Sequence, residues 1–144
     1  MNLEIVPIKE ACSRWSIFSK ALDDEMKAIA NVRPSDFSLA SIHDGLSEAN
    51  CLILFATDGL QDIGMLVYEE HKTHIVIVKE LYVKEEYRSQ GVGSLMLSCI
   101  KAKAKDREVC LRVVGGNERA LRFYQRSGFQ IESYSMRSVP SGSI

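Results

Sequence analysis

Gly91 and Gly93 stand one residue apart, directly behind Arg88, Ser89 and Gln90, where an amphipathic run opens (YRSQGVGSLM, residues 87–96). Glycine costs about 1 kcal/mol against alanine inside a helix. Two of them at a helix start imply a need for bare backbone. The first helical turn carries N–H groups with no partner inside the helix, at the positive end of the dipole, and an anion is their natural guest. A missing Cβ lets the anion lie against the main chain and permits the turn from strand to helix. A plain turn would use glycines in the same way, and the pair alone does not separate the two readings. The spacing is not the GxGxxG of dinucleotide folds, because position 96 is Met, and no GK[ST] follows.

Other residues could do chemistry. Glu80 sits in the run THIVIVKELYV among apolar neighbours, and partial burial makes a carboxylate a stronger base. Strand alternation puts Glu80 on one face with Tyr82, Val78 and Val76. An exposed charge, or an ion pair with Lys79 or Arg112, accounts for Glu80 as simply. Arg119, Arg122 and Arg126 recur on one helical face, a solvated face in the plainest reading. Asp23, Asp24 and Glu25, in LDDE, could attract a cation or merely be surface charge. His71 and His74 are three apart with no further ligand nearby, so no metal is expected.

The elements that must position these groups follow from pattern. LEIVPI reads as a strand ended by Pro7. From Lys9, Ala11, Trp15, Phe18 and Leu22 fall at helical spacing. LDDEMKAIANVRPSD mixes acids with turn signals, placing LDDE between two helices, the second capped by Ser35 and carrying Leu39 and Ile42. CLILFAT, IGMLVYEE and THIVIVKELYV are strands, joined by a hairpin at Asp58-Gly59 and a polar turn from Glu69 to Lys72. Val92, Leu95, Met96, Cys99 and Ile100 mark the buried stripe of a helix with a basic end at Lys101 to Arg107. EVCLRVV is a strand, Asn117 an N-cap, ERALRFYQRS a helix closed by Gly128, and FQIESYSMRSV a last strand. The expected fold is α/β, of the α+β kind with a mixed sheet. An antiparallel meander precedes strand–helix–strand–helix–strand, and helices cover both faces. Residues 1–139 read as one domain and 140–144 as a flexible tail.

Composition bounds the function. The 144 residues are 46% apolar and 26% charged, which suits one globular core. The apolar runs are too short to span a bilayer. MNLEIVPIKE lacks a basic region followed by an apolar one, so no secretory leader is expected. A net charge of -1 argues against nucleic-acid binding through phosphates. Cys12, Cys51, Cys99 and Cys110 show no CxxC and read as buried, reduced thiols of a cytoplasmic protein.

The context of the glycine pair is specific. Arg88-Ser89-Gln90-Gly91-Val92-Gly93, between a strand and a helix, resembles the acyl-CoA-binding signature [RQ]xxGx[GA] of the GCN5-related N-acetyltransferase (GNAT) superfamily. GNERALRFYQRSGF resembles the same family's N-x-x-A-x-x-[FL]-Y-x-x-x-G-F at Asn117, Ala120, Phe123, Tyr124, Gly128 and Phe129. The two motifs span about residues 80 to 130, and the order of elements around them fits as well.

The resemblance implies a fold, a cosubstrate and residue roles. Acetyl-CoA would place its diphosphate on the amides of Gln90, Gly91, Val92, Gly93 and Ser94, flanked by Arg88 and Ser89. Its pantetheine arm would pair like a strand with Leu81, Tyr82 and Val83, which needs a sheet that splays open there. Tyr124 matches the tyrosine that protonates the leaving thiolate; a phenol with pKa near ~10 stays protonated at neutral pH and can donate to sulfur. Asn117 would cap its helix and could also touch the pantetheine arm. Glu80 would take the proton of the acceptor amine, unless a water chain does so. The arginines of the last helix could reach the adenosine 3′-phosphate. The implied activity is acetyl transfer to a primary amine by direct attack in a ternary complex, since no cysteine lies inside either motif. The acceptor is a small-molecule amine or a peptide or protein amine. The alternative is a CoA-binding regulatory module without turnover. A homodimer stays open.

Overall fold

The computed structural model describes residues 1–29, 50–71 and 74–138. The first strand, β1 (Asn2–Pro7), ends where Pro7 removes a ladder donor, and a 3-10 turn (Ile8–Glu10) leads into helix α1 (Cys12–Lys27). Strands β2 (Cys51–Asp58), β3 (Gln61–His71) and β4 (Ile75–Val83) form the expected meander. Gly59, with φ of +62°, makes the left-handed residue of the β2–β3 hairpin. A second 3-10 turn (Glu85–Tyr87) precedes helix α2 (Val92–Ala104). Strand β5 (Glu108–Leu111) and helix α3 (Glu118–Arg126) follow. The sheet order is β1-β2-β3-β4-β5, antiparallel throughout except for the parallel β4–β5 pair. Among the described residues no helix is long and apolar enough to cross a membrane.

Helices cover both faces of this mixed sheet. Trp15 and Phe18 of α1 pack with Ile53, Phe55, Met65 and Val67 on one face. Val92, Met96, Leu97 and Ile100 of α2 pack with Leu54, Leu66, Val76 and Val78 on the other, where Phe123 and Tyr124 of α3 join them. Gly64 in β3 lies under α2; a Cβ there would stand 3.1 Å from Met96 Cε and 3.2 Å from the Tyr82 carbonyl oxygen.

Several expectations are corrected. The LDDE stretch is no connector: α1 runs through it to Lys27, because Asp23 and Met26 continue the buried face of Trp15, Phe18 and Ser19. Glu69 to His71 belong to β3, held by pairing with β4 rather than turning. On α2 the buried stripe is Val92, Met96, Leu97, Ile100 and Ala104, while Leu95 is 43% exposed. Strand β5 stops at Leu111, short of the expected 108–114. No last strand forms over the described residues of FQIESYSMRSV: 130–138 are exposed and outside the sheet. Alternation defines a face for a strand and supplies no partner for its ladder. Only Cys51 of the four free cysteines is buried, and Cys12 is exposed. The expected second helix around Ser35, Leu39 and Ile42 and the tail at 140–144 lie outside the described residues.

Candidate active site

Between β4 and α2 the chain makes an exposed turn with two left-handed residues, Ser89 (φ +63°) and Gly91 (φ +82°). The left-handed region is free to glycine and costs about 1–2 kcal/mol for a residue with a Cβ, so Ser89 carries strain and Gly91 does not. Gly91 is the N-cap of α2 and has no side chain to satisfy the helix start. The Leu95 N–H donates to the Gly91 carbonyl at 2.9 Å. The N–H groups of Val92, Gly93 and Ser94 therefore precede the helix's first carbonyl acceptor. The two glycines serve different ends. A Cβ on Gly91 would meet nothing within 4 Å, whereas one on Gly93 would stand 3.1 Å from Phe123 Cζ. Gly91 supplies a conformation beside open space, and Gly93 lets α3 close on α2.

The sheet splays beside this turn. Parallel pairing of β4 with β5 runs from Ile75↔Glu108 to Val78↔Leu111 and ends there, while β4 continues to Val83. The Lys84 N–H donates to the Ile63 carbonyl of β3 at 2.9 Å. By alternation the main-chain groups of Leu81 and Val83 point to the opposite edge. Tyr82 points its main chain back at β3. Its ring lies on the α1 side, 5.7 Å from Phe18 between centroids. Of the three residues expected to bind an extended ligand, Leu81 and Val83 point main-chain groups to this edge, where the Val83 carbonyl already accepts from Arg88 Nε, and Tyr82 does not.

Glu80 does not share a face with Val76 and Val78. The β3–β4 register shifts so that Val67 faces Glu80 and Tyr68 faces Val78. Lys79 is thus an extra residue in β4, a bulge that inverts the alternation. Val76 and Val78 point into the α2 face, and so do Leu81 and Val83. Glu80 and Tyr82 turn to α1. There Trp15 Nε1 donates to Glu80 Oε1 at 2.8 Å and Ser19 Oγ donates to Oε2 at 3.0 Å. Lys79 pairs instead with Glu69 at 3.3 Å. Trp15 and Ser19 were not foreseen as site residues; nothing local marks a helix residue as the partner of a carboxylate so distant in sequence.

The end of α1 reaches the same corner. Arg88 donates through Nε to the Val83 carbonyl at 2.8 Å and through Nη2 to Glu25 Oε1 at 2.5 Å, with its guanidinium 5.1 Å from the Tyr82 ring centre. Asn117 caps α3 as expected, Oδ1 accepting from the Ala120 N–H at 3.3 Å, and its Nδ2 lies 3.6 Å from Met26 Sδ of α1. Gln90 is tied to the Glu86 carbonyl at 3.0 Å. Tyr124 packs against Phe123 and Phe129, with ring centres 5.3 and 5.7 Å away. Burial pushes its phenol up to about 12. Arg119, Arg122 and Arg126 are exposed. Among the described residues no cluster of His, Cys, Asp and Glu could hold a metal ion.

This arrangement has relatives. A family model described as the acetyltransferase (GNAT) domain matches residues 49–131, more than half of the chain. N-alpha-acetyltransferase 60 of Xenopus tropicalis is 27% identical over 156 residues, covering 91% of this chain and 57% of that protein. Thialysine N-epsilon-acetyltransferase of Bos taurus is 33% identical over 66 residues, covering 44% of this chain and 39% of that protein. The chain thus spans less than two thirds of the curated relatives it matches. YycN of Bacillus subtilis superposes with a TM-score of 0.71 at 20% identity, over 96% of this chain and 99% of that one. The aminoglycoside N-acetyltransferase AAC(6')-Iy, solved in complex with CoA, superposes with a TM-score of 0.67 at 13% identity, over 96% and 98%. The chain belongs to the GNAT acetyltransferase family.

Proposed function

We propose that the protein transfers an acetyl group from acetyl-CoA to a primary amine by direct attack in a ternary complex. The observation that carries this reading is the parting of β4 from β5 after Val78↔Leu111, beside the uncapped start of α2. An extended ligand with amides of its own fits Leu81 and Val83, and a diphosphate fits the amides from Gln90 to Ser94, with Gly91 opening onto free space. Arg88 and Ser89 flank that position. Because Arg88 already holds Glu25 and the Val83 carbonyl, it serves the loop's shape as well as its charge. Bound acetyl-CoA supplies the activated acyl thioester.

The chain's own residues then position and move protons. Tyr124, held neutral by burial, donates a hydrogen bond towards the leaving sulfur. A thiol has a pKa near ~8.5, so complete transfer from a phenol at about 12 runs uphill, and solvent completes it. Glu80, oriented by Trp15 and Ser19, collects the amine proton directly or through water. Asn117 fixes the start of the helix that carries Tyr124.

The test is thiol release from acetyl-CoA with a panel of amines, with product mass measured. Tyr124→Phe is expected to lower kcat about 100-fold with CoA affinity unchanged. Failure of the wild-type protein to retain CoA, or tight retention with no amine acetylated, would overturn the reading.

A further inference from the structure

Glu25 lies in the last turn of α1, where the helix dipole is negative and a carboxylate is unfavourable. Its side chain is 42% exposed, so no apolar contact demands it there. What Glu25 holds is Arg88, whose Nη2 donates to Oε1 at 2.5 Å. The Arg88 side chain is only 17% exposed. Its guanidinium lies over the Tyr82 ring, and its Nε donates to the Val83 carbonyl at 2.8 Å. One side chain therefore bridges the last turn of α1 and the end of β4.

Both partners of Arg88 stand in the way of a ligand. The Val83 carbonyl is on the edge of β4 that β5 has left, and Arg88 Nε covers it. The guanidinium is the cation beside the open helix start at Gly91, and Glu25 already neutralises it. An anion arriving with Glu25 in place would set two like charges on one guanidinium, which is repulsive. Glu25 is the partner more easily given up, because water can take over an exposed carboxylate and such pairs are weak.

We propose that Glu25 is a latch on the cosubstrate site. In the free protein it holds Arg88 across the edge of β4. Arg88 leaves Glu25 for the diphosphate of CoA when the ligand binds, which uncovers the Val83 carbonyl and frees the last turn of α1 from the loop. This rests on the acetyl-transfer reading for its ligand. Glu25 touches neither cosubstrate nor reacting atoms; it is a positioning residue that acts through Arg88. The affinity for CoA is reduced by the fraction of protein that is latched. Loss of the Glu25 charge therefore tightens CoA, the opposite of what loss of a supporting contact does.

The test is isothermal titration of CoA into the full chain as wild type, Glu25→Gln, Arg88→Gln and the double variant. Glu25→Gln is expected to lower Kd about threefold or more, and the CoA-induced rise in melting temperature should grow with it. Arg88→Gln should raise Kd about fivefold or more. In that background Glu25→Gln should change Kd by less than about 1.5-fold. An unchanged Kd in the single Glu25→Gln variant overturns the latch. So does a raised one, which would show Glu25 aiming Arg88 at the ligand. Equal tightening with and without Arg88 also overturns it, because plain charge repulsion needs no Arg88. CoA bound by none of the four proteins sinks the acetyl-transfer reading and the latch together, whereas CoA bound without tightening sinks the latch alone.

Discussion

Trp15 Nε1 donates to Glu80 Oε1 at 2.8 Å, joining the first helix to the fourth strand across 65 positions of sequence. The bond exists because the bulge at Lys79 turns Glu80 away from the face that Val76 and Val78 occupy. With Ser19 on the other oxygen, one carboxylate ties α1 to the strand bordering the splay. Glu80 is thus the tether of α1, and in the proposed reaction it also collects the amine proton.

The two roles separate by substitution. Glu80→Ala removes the acceptor that Trp15 and Ser19 share and is expected to cost about 2–4 kcal/mol in urea denaturation. Glu80→Gln keeps an acceptor for the indole and should cost less than about 1.5 kcal/mol. If Glu80 takes the amine proton, the glutamine variant nonetheless loses at least about tenfold in kcat. An unchanged kcat would leave Glu80 a tether alone.

The glycines make a second pair of predictions. Gly93→Ala pushes a methyl group to 3.1 Å from Phe123 Cζ, a crowding cost of about 1–3 kcal/mol against a helix-propensity gain of about 1 kcal/mol, so the net loss expected is no more than about 2 kcal/mol. Phe123→Leu in the same chain removes the ring and should restore part of that loss, a coupling that a double-mutant cycle reads directly. Gly91→Ala meets no atom, so its cost is backbone strain of about 1–2 kcal/mol, and Phe123→Leu should not relieve it. Equal rescue of both variants would show that Phe123 does not distinguish the two positions.

Alkaline stability follows from burial. Desolvation raises Tyr124 and Tyr68 from 10.0 to about 12 and Cys51 from 9.0 to about 11. Between the unfolded and folded values the native state binds more protons than the unfolded one, so stability falls as pH rises. The contribution is whole below about pH 9 and is lost progressively up to about pH 12. Urea midpoints across that window should fall, and Tyr124→Phe should flatten the part above pH 10. Tyrosinate absorbance in the folded wild type should appear late for these two rings. A slope unchanged in Tyr124→Phe would show that the ring is wetter than its packing implies.

Much was legible without coordinates because it depends on near neighbours. The cap at Asn117, the left-handed turn at Gly59, the glycine start of α2 and the core runs of β2 to β4 are local statements about dihedrals, orphan N–H groups and apolar periodicity. Reading failed where a remote partner decides. LDDE carries acidic residues in series, yet α1 continues through it to Lys27 with Asp23 and Met26 buried. FQIESYSMRSV alternates well, yet its described residues find no ladder. Leu95 is apolar and lies on the exposed side, because the sheet below chooses which stripe of α2 is covered.

The sequence by itself determined the frame: a meander, a bare-backboned turn into a helix, and a capped helix bringing Tyr124, all short-range consequences of residue type and spacing. Only the tertiary structure decided which way the reactive groups face. The bulge at Lys79 reverses the alternation of β4 and hands Glu80 to α1, the ring of Phe123 claims Gly93, and Asp23 is buried with one oxygen that has no hydrogen-bond partner among the described residues. Each depends on atoms brought together from distant parts of the chain, and strand periodicity cannot encode a register that is settled by the neighbouring strand.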